Sequence, residues 1–201
     1  MGPPDHPPTN SFVRGARKVY NPLGFGSGYN FVLFFIFGGA LLGFTFSRLQ
    51  YIDFYGRFCG PGFSTTNRAA PGEYFYYRQP THERVGIIIH LATILPASLL
   101  VFFQFVPAIR HNVILVHRIN GYVVLILALV NIPRILMATR HAFGGEIATQ
   151  YGVSVTSILF LGGLAMAYIN IKRLQIEQHR AWMLRAWFYV GASRTSLGIV
   201  L

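Results

Sequence analysis

Apolar residues along this chain gather into long unbroken runs, not into the two-residue alternation of a strand or the one-sided stripe of a surface helix. The clearest run is "RVGIIIHLATILPASLLVFFQF", residues 84–105. About 20 apolar residues in a helix match the thickness of the bilayer hydrocarbon. On that measure the chain divides into a tail, 1–29, and a transmembrane domain, 30–201, with spans at about 30–50, 85–106, 113–137, 152–171 and 181–201. Inside a bilayer each backbone polar group needs a partner within its own segment or a closed barrel. The pattern therefore predicts an all-α integral membrane helical bundle of about five transmembrane helices. The fifth span is the most polar, because Arg185 and Arg194 fall inside it. A central arginine costs about 2.5–3.5 kcal/mol on insertion scales. Arg185, near the span's start, can snorkel to the interface; Arg194 lies deeper and needs a polar partner.

The connections carry their own signals. The tail is rich in Pro and Gly and holds Arg14, Arg17 and Lys18, which predicts a disordered or surface-lying segment. The 51–83 loop contains Phe54, Tyr55, Phe58, Phe63 and "EYFYYR", and such aromatics favour the headgroup zone. A lid over a site is the sharper alternative for it. "PAIRHN", 107–112, predicts a tight turn and so an antiparallel neighbour. Gly38, Gly39 and Gly43 in the first span, and Gly162, Gly163, Ala165 and Ala167 in the fourth, suit close helix packing. "GFGSGYN", 24–30, has no preceding strand and lacks dinucleotide-loop spacing, so it reads as a linker.

Composition agrees with a membrane protein: 53% of residues are hydrophobic and 11% charged, and the mean hydropathy is +0.44. The net charge of +11 sits in short clusters beside the apolar runs, as topology signals do. It predicts affinity for anionic lipid and no nucleic-acid partner. One face carries Arg14, Arg17, Lys18, Arg110, Lys172, Arg173 and Arg180. The other carries Arg57, Arg68, Arg78, Arg84 and Arg140, offset by Asp53, Glu73, Glu83 and Glu146. This bias predicts a cytosolic N-terminus, in an organelle the sequence does not specify. The single cysteine, Cys59, excludes an intrachain disulfide and a cysteine-based metal cluster. Neither a glycosylation sequon nor a cleavable signal is legible.

The candidate chemistry lies in histidines. At about 1.5 Å per residue, His90 sits about 8 Å inside the second span. His141 follows the third span on the same side. His117 and His179 lie at the opposite level, so four histidines form two pairs by depth. Paired levels of imidazole on a small helical bundle are the arrangement that holds haem across a membrane. Haem b or a transition metal, the latter on His90, His117 and His179, is the cofactor this predicts. Glu83 and Glu146 are the acidic residues that would join His90 around a divalent ion. The plainer alternative is that each imidazole bonds to a neighbouring helix or lies at an interface. Either way His90 should face inward with Ile87, Thr93 and Ala97, with Ile88 and Leu95 outward. No Ser/His/Asp set stands out by spacing.

Three segments resemble the membrane proteins grouped as domain of unknown function 2306, in its fungal branch. "IHLATILPASLLVFFQFVPAIR" (89–110) is similar to that family's IH…GPxQF helix, "HRINGYVVLILAL" (117–129) to its HRxxGRxY helix start, and "AYINIKRLQIEQHRAWMLRAW" (167–187) to its most specific signature. "HAFGG" (141–145) fits the family's GG turn. The resemblance covers about 85–187 and implies a multi-pass helical membrane protein without an established reaction. It points to His90, His117 and His179, with Arg118, Arg180, Trp182, Met183 and Arg185 in support. Tyr122 replaces a frequent family arginine, and "ASRTSLGIVL" departs from the family's continuation, as in a C-terminally short form. The expected function is a histidine-ligated haem or metal redox protein, by analogy of architecture with di-haem membrane bundles. The alternative is a cofactor-free membrane accessory protein, for example of a membrane-associated biosynthetic pathway. A small transporter is disfavoured by the lack of a legible inverted repeat.

Overall fold

The computed structural model describes residues 10–60, 69 and 71–198. Its helices are α1 (Ser11–Tyr20), α2 (Gly28–Arg48), α3 (Pro71–Arg78), α4 (His82–Gln104), α5 (Pro107–Asn112), α6 (Ile114–Ala138), α7 (Ile147–Lys172) and α8 (Ile176–Gly198). Short 3-10 turns cover Leu49–Ile52 and Ala142–Gly145, and a π turn covers Phe54–Phe58. No strand occurs among the described residues. Four helical segments are long and apolar enough to cross a bilayer: Gly28–Ile52, α4, α6 and α7. They correspond to the first four expected spans. α8 is also long, at 23 residues, but Glu177, Arg180 and Arg185 keep it outside that set.

The chain divides into two compact units, Met1–Asp53 with Leu91–Asn131, and Phe54–His90 with Ile132–Leu201. In the first, α1 is helical where the composition suggests a loose tail. The Pro-rich stretch ends before Asn10, whose side chain accepts the Phe12 N–H, and Arg17 and Lys18 complement the helix C-terminus. Phe12 and Val19 are exposed on it, beside those cations. α2 is capped by Ser27 and buries only Thr45, whose hydroxyl returns to the Leu41 carbonyl. Its exposed Phe35, Ile36 and Phe37 suit a lipid-facing surface. Gly24 has φ +84°, and an added Cβ would lie 2.7 Å from the Ala108 nitrogen. That close approach lets Ala108 N–H donate to the Leu23 carbonyl at 3.0 Å. The expected turn at 107–112 is the short helix α5, with Pro107 at its start, where a missing N–H costs nothing. It folds α6 back along α4. Asn120 donates to the Leu100 carbonyl and Gln104 to the His117 carbonyl, each at 2.9 Å. Such side-chain bonds join helices where apolar contacts alone gain little over lipid.

In the second unit, the aromatic 51–83 loop becomes the π turn and α3. Phe58 stacks on Tyr77, and the buried Tyr77 hydroxyl donates to the Ala138 carbonyl at 3.3 Å. α7 and α8 form an antiparallel hairpin. Gly163 lies so close to α8 that an added Cβ would be 2.9 Å from that of Ala186, and Phe160 meets Trp187 edge-on at 5.3 Å. The link between them closes as a helix-ending loop: Gln175 N–H donates to Asn170 and Leu174 N–H to Ile171. Leu174 takes the left-handed conformation there, with φ 59°.

Candidate functional site

α4 carries His90 and Glu83 on its first half, in the second unit. His90 is buried at 7% exposure, and Ile87, Thr93 and Ala97 are buried too, as the helical periodicity requires. Leu95 departs from expectation: it is buried at 4%. Ile88 is half-buried, and the exposed positions of α4 are His82, Val85, Ala92, Pro96 and Phe103. About half of α4's apolar window is buried, so the helix is packed on more than one side. A single-stripe reading places its outward face too broadly.

The firmest geometry belongs to His141, which starts the 3-10 turn after α6. Its Nδ1–H donates to Glu83 Oε1 at 2.7 Å, and the Tyr76 ring stacks on the imidazole at 3.5 Å and 13°. Glu83 is the more deeply placed partner, with 5% side-chain exposure against 26% for His141. His82 Nε2 lies 4.0 Å from the same carboxylate oxygen. Glu83 also stands in the first turn of α4, where the helix dipole favours a carboxylate. Gly145, at φ 72°, closes the turn; an added Cβ there would lie 2.8 Å from the Arg140 carbonyl. The ring is thus held through Nδ1 and through one face. Nε2 is the nitrogen it presents, the arrangement in which a carboxylate orients a ligating or proton-handling histidine.

The other histidines stand differently. His179, half-buried at the start of α8, donates from Nδ1 to the Ala167 carbonyl of α7 at 2.9 Å. Its neighbour Arg180 pairs with Glu177 at 2.9 and 3.0 Å, and the Arg185 guanidinium lies 4.9 Å over the Trp182 ring. Met183 is half-buried beside them. His117, half-buried on α6, belongs to the first unit, and Arg118 beside it is exposed. The side chain of Arg194 lies outside the described residues. Glu146 is exposed ahead of α7, while the Glu83 carboxylate meets His141. Among the described residues no three or more His, Cys, Asp or Glu side chains gather in a way that would hold a metal ion.

Two further features lie in the second unit. A cleft of about 500 Å³ is lined by Leu136, Thr139, Arg140, Gln150 and Ser154. A second, of about 380 Å³, is lined by Phe54, Tyr55, Cys59, Tyr77, Arg78 and Arg84. Burial pushes the Cys59 thiol up to about 11; the Glu73 carboxylate adds to the rise and Arg78 opposes it. Burial, then Glu73, Glu83 and Cys59, raise the Tyr77 hydroxyl well above its ordinary value. Tyr76 and the Glu83–His141 bond escape sequence reasoning. The legible signal is that the face assignment puts Glu83 and His141 at the same end of the bundle.

Four long apolar helices and an aromatic loop flanked by arginines define a multi-pass integral membrane protein. Residues 87–201 match the family model described as predicted membrane protein (DUF2306), and the chain belongs to that family. The match runs through "ASRTSLGIVL", 192–201, the stretch expected to depart from the family's continuation. No curated protein and no solved structure matches the chain.

Proposed function

We propose that this protein is a membrane redox protein that holds a haem through histidine. The observation that supports it is His141, fixed by the buried Glu83 carboxylate so that Nε2 is presented. The donor set favours haem over a bare metal ion. A structural zinc-type site takes four protein ligands, whereas haem iron needs one or two axial ones. No larger donor cluster gathers among the described residues. A bound haem would supply reversible one-electron transfer. The chain's part is to supply axial nitrogens, with His141 and the buried His90 as the candidates in the second unit and His117 and His179 as further candidate ligands. Glu83 fixes the His141 tautomer, and arginines such as Arg118, Arg180 and Arg185 offer partners for propionates. The N-terminus lies in the cytosol in this reading, following the arginine bias of the loops.

The test is the visible spectrum of detergent-purified protein. A Soret band with reduced α-bands is expected, and Ala variants at His90, His117, His141 and His179 should each lower haem content while still inserting. Wild-type protein that never carries haem, or variants that all keep a full complement, would overturn the reading. The second reading, a cofactor-free accessory protein, is favoured by His179. Its bond to the Ala167 carbonyl ties α8 to α7 and is a purely structural use of imidazole. Under it, His179→Ala loosens the hairpin and changes no chromophore.

A further inference from the structure

The 380 Å³ cleft in the second unit combines two guanidinium groups with aromatic walls. Arg84 stands at the start of α4, where the chain's longest apolar run begins, and Arg78 ends α3 just before it. Both therefore lie at the depth where a span meets lipid headgroups. Neutral oxygens hold them. Arg84 donates to the Tyr55 hydroxyl at 2.7 Å and to the Arg78 carbonyl at 3.4 Å. Arg78 donates to the Tyr74 hydroxyl at 2.6 Å and to the Gly60 carbonyl at 3.5 Å. Each guanidinium also lies over a ring, Arg84 at 5.3 Å from Tyr55 and Arg78 at 5.6 Å from Tyr74. These contacts orient the cations without neutralising them. The carboxylates that act on the cleft's Cys59 and Tyr77 are Glu73 and Glu83, and Glu83 is engaged by His141. Guanidinium donors in a fixed fork suit the several oxygens of a phosphate. The remaining walls, Phe54, Tyr55 and Tyr77, suit an adjoining apolar group.

We propose that this cleft binds a phosphate-bearing amphiphile, with Arg78 and Arg84 on the phosphate and the aromatic walls on the neighbouring apolar chain. A phosphate can come from an acidic membrane lipid or from a soluble phosphate ester, and the test separates them. Phe54, Tyr55, Cys59 and Tyr77 line the cleft, so deuterium labelling of the backbone amides of 54–59 and 74–78 reports occupancy.

The full chain in phosphatidylcholine nanodiscs is titrated with short-chain phosphatidylglycerol and, separately, with glycerol phosphate. Phosphatidylglycerol should slow labelling. Glycerol phosphate without effect assigns the site to membrane lipid; equal protection by it assigns a soluble ester. Arg84→Gln should raise the half-protecting concentration about fivefold, and Arg78→Gln with Arg84→Gln further. Arg84→Lys should retain most protection. Circular dichroism checks each fold, and the double variant feels the same disc surface charge as wild type. No protection by either ligand, or equal protection in wild type and double variant, overturns the proposal. Should the variants not fold, native mass spectrometry of the wild type decides: preferential retention of phosphatidylglycerol over phosphatidylcholine is expected, and equal retention overturns it.

Discussion

His141 and Glu83 show how unequal two halves of one bond can be. Glu83 is almost wholly enclosed, whereas His141 keeps a quarter of its side chain in reach of solvent. Removing the imidazole therefore strands a buried acid, while neutralising the acid leaves an imidazole that solvent can still reach. His141→Ala should cost about 3 kcal/mol, and Glu83→Gln, which keeps an acceptor, about 1 kcal/mol. Thermal melts in detergent check the order; equal losses would mean the bond matters less than the Tyr76 stack. Cys59 makes a separate prediction. Its thiol is raised in the folded chain, so folding favours the protonated form. Stability should be unaffected below pH 9 and decline as pH rises through about 11, and Cys59→Ala should flatten part of that decline. Melts at pH 7.5 and at the alkaline end would show it.

Helices were the most legible element, and their partners the least. Run length alone located α2, α4, α6 and α7, since hydrocarbon thickness admits few other readings. Periodicity placed His90, Ile87, Thr93 and Ala97 inward but misplaced Leu95, because it presumes one buried stripe and α4 has more. The Pro-rich residues before α1 mask its helical signal, and its start is set by the cap at Asn10. The small residues of α7 mark a packing surface in the sequence, but composition does not distinguish which of them pack. Gly163 is pressed against Ala186, whereas Gly162 meets nothing within 4 Å. Gly163→Ala should destabilise the α7–α8 hairpin by about 1–3 kcal/mol. Gly162→Ala should be neutral or slightly stabilising, as helix propensity dictates. Limited proteolysis at the 173–175 link would separate the two; equal susceptibility would remove the packing argument. The Glu83–His141 bond joins residues far apart in the chain, and no local pattern encodes such a pairing.

At the scale of the molecule, the four apolar segments set an alternation that one measurement can fix. A tag ahead of α1 should be protected from protease added outside intact cells, and a tag in the 51–83 loop should be cut. The opposite result would invert the assignment and exchange the two histidine levels. The α7–α8 hairpin bears on how such a molecule is made. α8 is too charged to partition into lipid by itself, yet it follows α7 after three residues and packs along it. Its contacts with α7 are local in sequence, which favours early formation. Membrane integration of α8 is then an event of the pair: a translocation reporter fused after α8 should register insertion only when α7 precedes it, and insertion of α8 alone would show that its own side chains suffice.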